Sequence, residues 1–201
     1  MGKTLYIERS AASGRSGDWV ESLDLDDVDR IVVGTGPGSF AGVRSAIAFA
    51  QGFALGRKCE VLGLPSPCAA AAQLLGPVPG VEKLGTDPQK LGTDPDGARQ
   101  LAIVGDARCG KLWIALFDGF SLVRDVFQVN SSEILGPVPN GFAVATVDEA
   151  RIGDKLKAAF GERFIGGVTP TDAGLKAFAE ANPSALVREP RPIYLNPAVR
   201  G

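Results

Sequence analysis

Between Ile31 and Arg44 the chain reads Ile-Val-Val-Gly-Thr-Gly-Pro-Gly-Ser-Phe-Ala-Gly-Val-Arg, a β-branched strand passing through four glycines and a proline into a helix. Glycine takes positive φ and lets another group approach the backbone closely, while Pro37 holds one φ near the middle, so the segment is shaped as well as permissive. Such a loop, here Gly34, Gly36, Pro37, Gly38, Ser39, Phe40, Gly42 and Arg44, admits two uses. Its amides can cradle an anion at the helix start, or its glycines can serve a tight strand-to-helix turn. A Walker loop ends in Gly-Lys-Ser/Thr, whereas Gly42 is followed by Val43 and Arg44. A dinucleotide fingerprint is nearer through Gly34, Gly36 and Ala41, but Pro37 stands where pyrophosphate must enter and Glu60 opens the next strand instead of ending it.

The helix that follows, about Gly42 to Gly56, is apolar on almost every side, with Ser45 and Gln51 its only polar residues after Arg44. Ser39 is the candidate cap. Ala46, Ala50 and Ala54 recur every four residues and form a smooth stripe where a second helix can approach, while Ile47, Phe49 and Phe53 supply bulk. Burial of this stripe within the chain competes with that use. Glu60 to Leu64 reads as another strand, and Pro65-Ser66-Pro67 opens an alanine-rich helix to about Leu75, with Ser66 as its candidate cap. Strand, helix, strand, helix predicts an α/β sheet with parallel neighbours and right-handed crossovers.

Gly76 to Arg99 interrupts the alternation with four prolines and a near-duplication, Lys83 to Gln89 followed by Lys90 to Asp96. Two copies make no solenoid, and the composition suits a linker. Beyond it, Leu101 to Val104, Lys111 to Phe117 and Leu122 to Val129 predict an antiparallel meander with turns at Asp106 to Gly110 and Asp118 to Ser121. Phe142 to Val147 predicts a strand, Asp148 to Phe160 a helix capped by Asp148, Arg163 to Gly166 a strand, Thr171 to Ala181 a last helix, and Pro190 to Leu195 an extended tail. Thr4 to Glu8 is a short strand at the start.

The 201 residues contain no histidine, which removes the commonest general base and zinc ligand and excludes Ser-His-Asp and Cys-His chemistry. No catalytic residue, metal site or peptidase constellation is assigned. The 21 basic and 23 acidic residues are scattered and carry no footprint for nucleic acid. Three cysteines, with no CxxC pair and no secretory leader before them, suit a reducing cytoplasm, and no apolar run is long enough for a bilayer.

Gly34 to Arg44 followed by Ala50-Gln-Gly-Phe-Ala54 resembles the signature of the bacterial TsaB family, also called YeaZ. The resemblance continues in Val61 to Leu64, in Ala102-Ile-Val-Gly-Asp-Ala-Arg108 with Gly110, and in Pro192 to Leu195, and covers the chain from about Val28 onward. It implies an actin-like, ribonuclease H-like (ASKHA) two-lobed α/β fold. It also implies a non-catalytic subunit that stabilises the threonylcarbamoyl-transferase TsaD, working with the ATPase TsaE, in modifying adenosine beside the tRNA anticodon. The partner then carries the metal and the chemistry, tRNA is reached only indirectly, and ATP or ADP, if held at all, belongs to a partner interface. A cytoplasmic protein that pairs with itself when alone is the corresponding expectation. With the family in view, Ala46, Phe49, Ala50, Phe53 and Ala54 become the partner interface, and Asp106, Arg108 and Gly110 a second-lobe motif.

The chain departs from the family at its start, where a strand of the Leu-Ala-Ile-Asp-Thr-Ser kind and a paired second strand are expected. Thr4 to Glu8 then corresponds to a third strand, the next helix shrinks to about Asp18 to Leu23, and the first lobe is truncated, either in fact or through a misplaced gene start. Ala41 replaces the family's threonine. The division is residues 1–76 for the first lobe, 77–99 for the linker, 100–185 for the second lobe and 186–201 for the tail. Two other functions compete: a nucleotide- or anion-binding protein using the Gly34 to Arg44 loop, and a divergent paralogue that pairs only with itself.

Overall fold

The computed structural model describes residues 2–11, 19–76, 92–93 and 99–195. The chain divides into two units, Met1–Ala69 with Pro170–Tyr194 and Ala70–Thr169 with Leu195–Gly201. The first unit is therefore discontinuous in sequence, and it takes the helix and tail that a reading by position gives to the second lobe or beyond. The duplicated linker lies outside the described residues apart from Gly92–Thr93.

In the first unit, β1 (Lys3–Ile7), β2 (Val28–Gly34) and β3 (Glu60–Leu64) run parallel in that spatial order, and the short β10 (Val187–Arg188) closes the sheet antiparallel to β3. β1 lies directly beside β2, Ile7 opposite Val33, the place of a strand reached by a crossover and not of the far member of a meander. Residues 19–22 form turns, with no helix there; Trp19 and Leu23 instead pack individually on the core. α1 (Phe40–Leu55) covers one face of the sheet through Val43, Ala46, Ile47 and Ala50, which meet Ile7, Val28, Ile31 and Val33. By the strand period of two Val32 points to the other face. α4 (Asp172–Ala181) packs there on β1 and β2, with Leu175, Phe178 and Ala179 buried.

The boundary between the units falls within α2 (Ser66–Leu75). In the second unit, β5 (Arg99–Arg108), β6 (Lys111–Asp118) and β7 (Ser121–Asn130) form the expected meander, and the two-residue β4 (Gly92–Thr93) pairs with the start of β5. β8 (Ala143–Thr146) and β9 (Phe164–Gly167) add in parallel on the other side of β5, giving the order β7-β6-β5-β8-β9. α3 (Glu149–Phe160) follows β8 and buries Ile152, Leu156 and Phe160 against Ala102, Val104, Ile114 and Val144. Ala150, in its first turn, is exposed. β5 is longer than the apolar run Leu101 to Val104 suggests because polar Arg99, Gln100 and Asp106 also pair across to β6 or β4.

Candidate functional site

The glycine loop is filled by the chain itself. Residues Glu8, Arg9 and Ser10, which leave β1, lie on three of its glycines in turn. A Cβ added at Gly34 would fall on the Glu8 carboxylate, one at Gly38 on the Ser10 carbonyl oxygen, and one at Gly42 on the Arg9 carbonyl oxygen. Only glycine leaves room for this approach. The loop amides are spent on the same packing. Thr35 N–H donates to the Leu64 carbonyl (2.9 Å) and Gly36 N–H to Ser66 Oγ (3.0 Å). Ser39 N–H donates to the Ser10 carbonyl (2.7 Å), and Ser39 Oγ accepts from Gly42 N–H (3.3 Å), the cap expected for α1. The Gly36–Pro37 bond is cis and Gly36 has φ 86°. From outside, Ile193 N–H donates to the Thr35 carbonyl (2.8 Å), so the tail of the chain lies along the loop. An anion cradle needs several amides aimed outward together. Here at least three of them are turned to internal acceptors.

Ser66, expected to cap α2, has another role. It is the first residue of that helix, and its hydroxyl accepts from Gly36 and donates to Glu8 Oε1 (3.1 Å), because the loop and β1 converge on it before the helix can use it. Glu8 Oε1 also accepts from Ser10 N–H (2.7 Å), while Oε2 is buried with no partner. Asp172, in the first turn of α4, accepts from Glu8 N–H (2.5 Å) and from the Arg9 guanidinium (3.0 Å). Burial holds the Glu8 carboxyl above its ordinary value of 4.5, bonds from Ser10 and Ser66 acting against it and the Asp172 charge adding to it. Since the folded state keeps the proton more tightly, the stability this gives is fully present below the unfolded value and is lost as pH rises through the folded one. Glu8→Gln, which keeps an acceptor for Ser10 and Ser66, is expected to remove that component. Denaturant midpoints measured from acid to neutral pH should show the wild type losing stability relative to the variant, and parallel profiles would contradict it.

α1 determines which of the expected interface residues are available. Ala46 and Ala50 are completely buried in the chain's own core, so the contact surface assigned to them is corrected: Val43 and Ile47, on the same side, turn that stripe to the sheet. Phe49 and Phe53 pack half-buried on this core, Phe49 edge-to-face with Trp19 at 5.4 Å, and Ala54 is half-buried. The outer face is Ala41, Arg44, Ala48, Gln51, Gly52 and Leu55, spaced three and four apart, with Leu55 91% exposed. Phe40, 61% exposed, and Tyr194 of the tail meet beside it with rings 5.9 Å apart. Sequence reasoning passed over this face although its small residues recur at helical spacing too.

In the second unit, Asp106, Arg108 and Gly110 build the β5–β6 turn. Asp106 Oδ1 accepts from Arg108 N–H (2.8 Å), its Oδ2 pairs with Arg108 and Arg151, and Arg108, Cys109 and Gly110 all have positive φ. Asp148 stands at the N-cap position of α3 but makes no side-chain bond to the helix. Its carboxylate accepts from Asp106 N–H (2.8 Å), which ties the turn to the end of β8. Burial raises the Asp148 carboxyl, and the neighbouring Asp106 charge adds to this. The sequence marks Asp148 only as a helix cap and does not single out Arg151. Among the described residues no three acidic, cysteine or histidine side chains come together as a metal site, and no helix is long and apolar enough to cross a membrane.

A sheet with a crossover helix in each of two units, and a glycine turn packed by its own chain, make this an α/β protein. The model of the tRNA N6-adenosine threonylcarbamoyltransferase family (TsaD) matches residues 21–92. YeaZ from Pseudomonas aeruginosa superimposes with a TM-score of 0.66 at 18% identity, over 97% of this chain and 100% of that one. A second solved structure, of an uncharacterized protein with similarity to peptidase YeaZ from Pseudomonas aeruginosa, gives a TM-score of 0.68 at 18% identity, over 98% and 100% of the two chains. The fold is YeaZ-like. No curated protein matches the sequence.

Proposed function

We propose that this chain is a TsaB-type, non-catalytic subunit of a cytoplasmic tRNA threonylcarbamoyladenosine-modifying assembly, which binds a TsaD-like transferase through the outer face of α1. One observation carries the reading. On a YeaZ-like fold, the glycine loop is occupied by the chain's own residues, while the helix it positions leaves Leu55 and the small residues Ala41, Ala48 and Gly52 uncovered on one face, beside exposed Phe40. Exposed apolar residues grouped on one helix face mark contact surfaces. In this reading TsaE joins the assembly, and ATP or ADP is held only where the partner contributes.

Co-purification with a TsaD-type transferase from the same genome, and restoration of the tRNA modification in a strain lacking its own TsaB, test it. The chain alone is expected to have no transferase activity. Ala48→Arg places a long charged side chain at the centre of the face and is expected to weaken the complex by at least about tenfold, or 1.4 kcal/mol, without lowering Tm. A complex indifferent to Ala48→Arg would move the contact off α1.

A further inference from the structure

We infer that the edge of β5 at Arg99 and Gln100 takes either of two identical strands, so that Gly85–Thr86 exchanges with Gly92–Thr93 in the place of β4. In the pairing seen, Gly92 lies opposite Gln100 and Thr93 opposite Arg99, antiparallel. β6 holds one edge of β5, while β4 and then β8 hold the other. The Arg99 carbonyl turns to the β6 side, where it accepts from Gly119 N–H (3.0 Å), and the Val104 carbonyl turns to the β8 side, where it accepts from Val147 N–H (3.2 Å). Backbone groups of successive strand residues face opposite edges, so Gln100, an even number of steps from Val104, presents its N–H and C=O to β4. A single residue pair, Gly92 with Gln100, thus carries the contact.

Lys83-Leu-Gly-Thr-Asp-Pro88 repeats as Lys90-Leu-Gly-Thr-Asp-Pro95, so the two pairing residues, the two before them and the Asp-Pro turn signal after them are the same in both copies. The β5 edge therefore meets the same residues in either register, and strand pairing gives no ground for preferring one. Glycine-containing strands are where register is specified most weakly. What differs is loop length. With Gly92–Thr93 in place, residues 76–91 join α2 to the pair and residues 94–98 join the pair to β5, sixteen and five residues. With Gly85–Thr86 in place, residues 76–84 and 87–98 do so, nine and twelve residues. The cost of joining loop ends grows only with the logarithm of length, so the gain on one side nearly cancels the loss on the other, and the two registers differ by less than about twofold in population. Seven residues pass from one loop to the other, which makes the β4–β5 hairpin adjustable in length. The exchange breaks one residue pair and needs only local opening. It does not involve α1 or its reading as a contact face.

Amide hydrogen exchange of the full chain, read at Gln100 by NMR, tests this with Gly85→Pro, Gly92→Pro and the double variant. Proline has no N–H to donate to the Gln100 carbonyl and does not hold a paired ladder position. Each single variant should keep the Gln100 amide protected to within about threefold of wild type, because the intact copy takes the edge. The double variant should speed its exchange by at least about tenfold, with the Gly105 and Trp113 amides in the rest of the meander unaffected as the check that the sheet is intact. Exchange in Gly92→Pro as fast as in the double variant would show that Gly85–Thr86 does not take the edge, and overturns the inference. A double variant that exchanges like wild type overturns it too, since neither copy then holds the strand.

Discussion

Gly42→Ala is expected to lower the melting temperature by roughly 6–12 °C, the equivalent of about 3 kcal/mol, and Gly52→Ala to leave it unchanged or raise it slightly. Both glycines lie in α1, where alanine is the better helix former by about 1 kcal/mol. What separates them is the space each faces. A Cβ at Gly42 would fall on the Arg9 carbonyl oxygen, a backbone atom that cannot rotate away, whereas a Cβ at Gly52 meets nothing. Moving Arg9 also moves Glu8 and Ser10, and with them the seats on Gly34 and Gly38. The loss should be cooperative, with the 8–10 segment released from the loop. Calorimetry of the two variants decides it, and equal melting temperatures would mean that Gly42 is free to carry a side chain, as a ligand-cradling loop would allow.

Ser66→Ala should destabilise the protein by about 3 kcal/mol although it removes one oxygen atom. The side chain is 1% exposed and serves two groups that water cannot reach in its place. Without it, Gly36 N–H loses its acceptor and Glu8 Oε1 loses one of two donors, and each buried group left short costs about 1–3 kcal/mol. The burden is greater because Glu8 Oε2 has no partner to begin with. Hydrogen exchange at the Gly36 amide is expected to speed up on the order of a hundredfold, the equivalent of about 2.7 kcal/mol of local protection. A double-mutant cycle with Glu8→Ala should give non-additive losses, since both changes remove the Ser66–Glu8 bond. An unaltered Gly36 exchange rate would show that the bond contributes nothing.

Much of the architecture was legible because it follows from short-range chemistry. Alternating and β-branched runs marked the strands near residues 4–7, 28–34, 60–64 and 143–146. The polar turns at Asp106 to Gly110 and Asp118 to Ser121 marked the meander, and Ser39 announced α1 as its cap. Less could be read where a residue answers to something distant. Ser66 has the residue type of a cap, but its hydroxyl is claimed by Gly36, thirty residues earlier, and by Glu8, fifty-eight residues earlier. Asp148 likewise turns from its helix to Asp106. Glu8 itself has no local pattern that distinguishes a buried carboxyl from a solvated strand end.

The sequence by itself determined that Ile31 to Arg44 would be a shaped strand-to-helix turn and that the helix behind it would be apolar around most of its circumference, since both follow from residue type and spacing. It could not determine what the glycines receive or which side of the helix stays open. Two stripes of small residues run along α1, Ala46 with Ala50 and Ala41 with Ala48 and Gly52, and periodicity treats them alike. Only the tertiary structure chose between them, because Val43 and Ile47 find β1 and β2 on one side. The same packing put Glu8, Arg9 and Ser10 where an anion had been a candidate, and left the opposite stripe, with Arg44 and Leu55, facing outward.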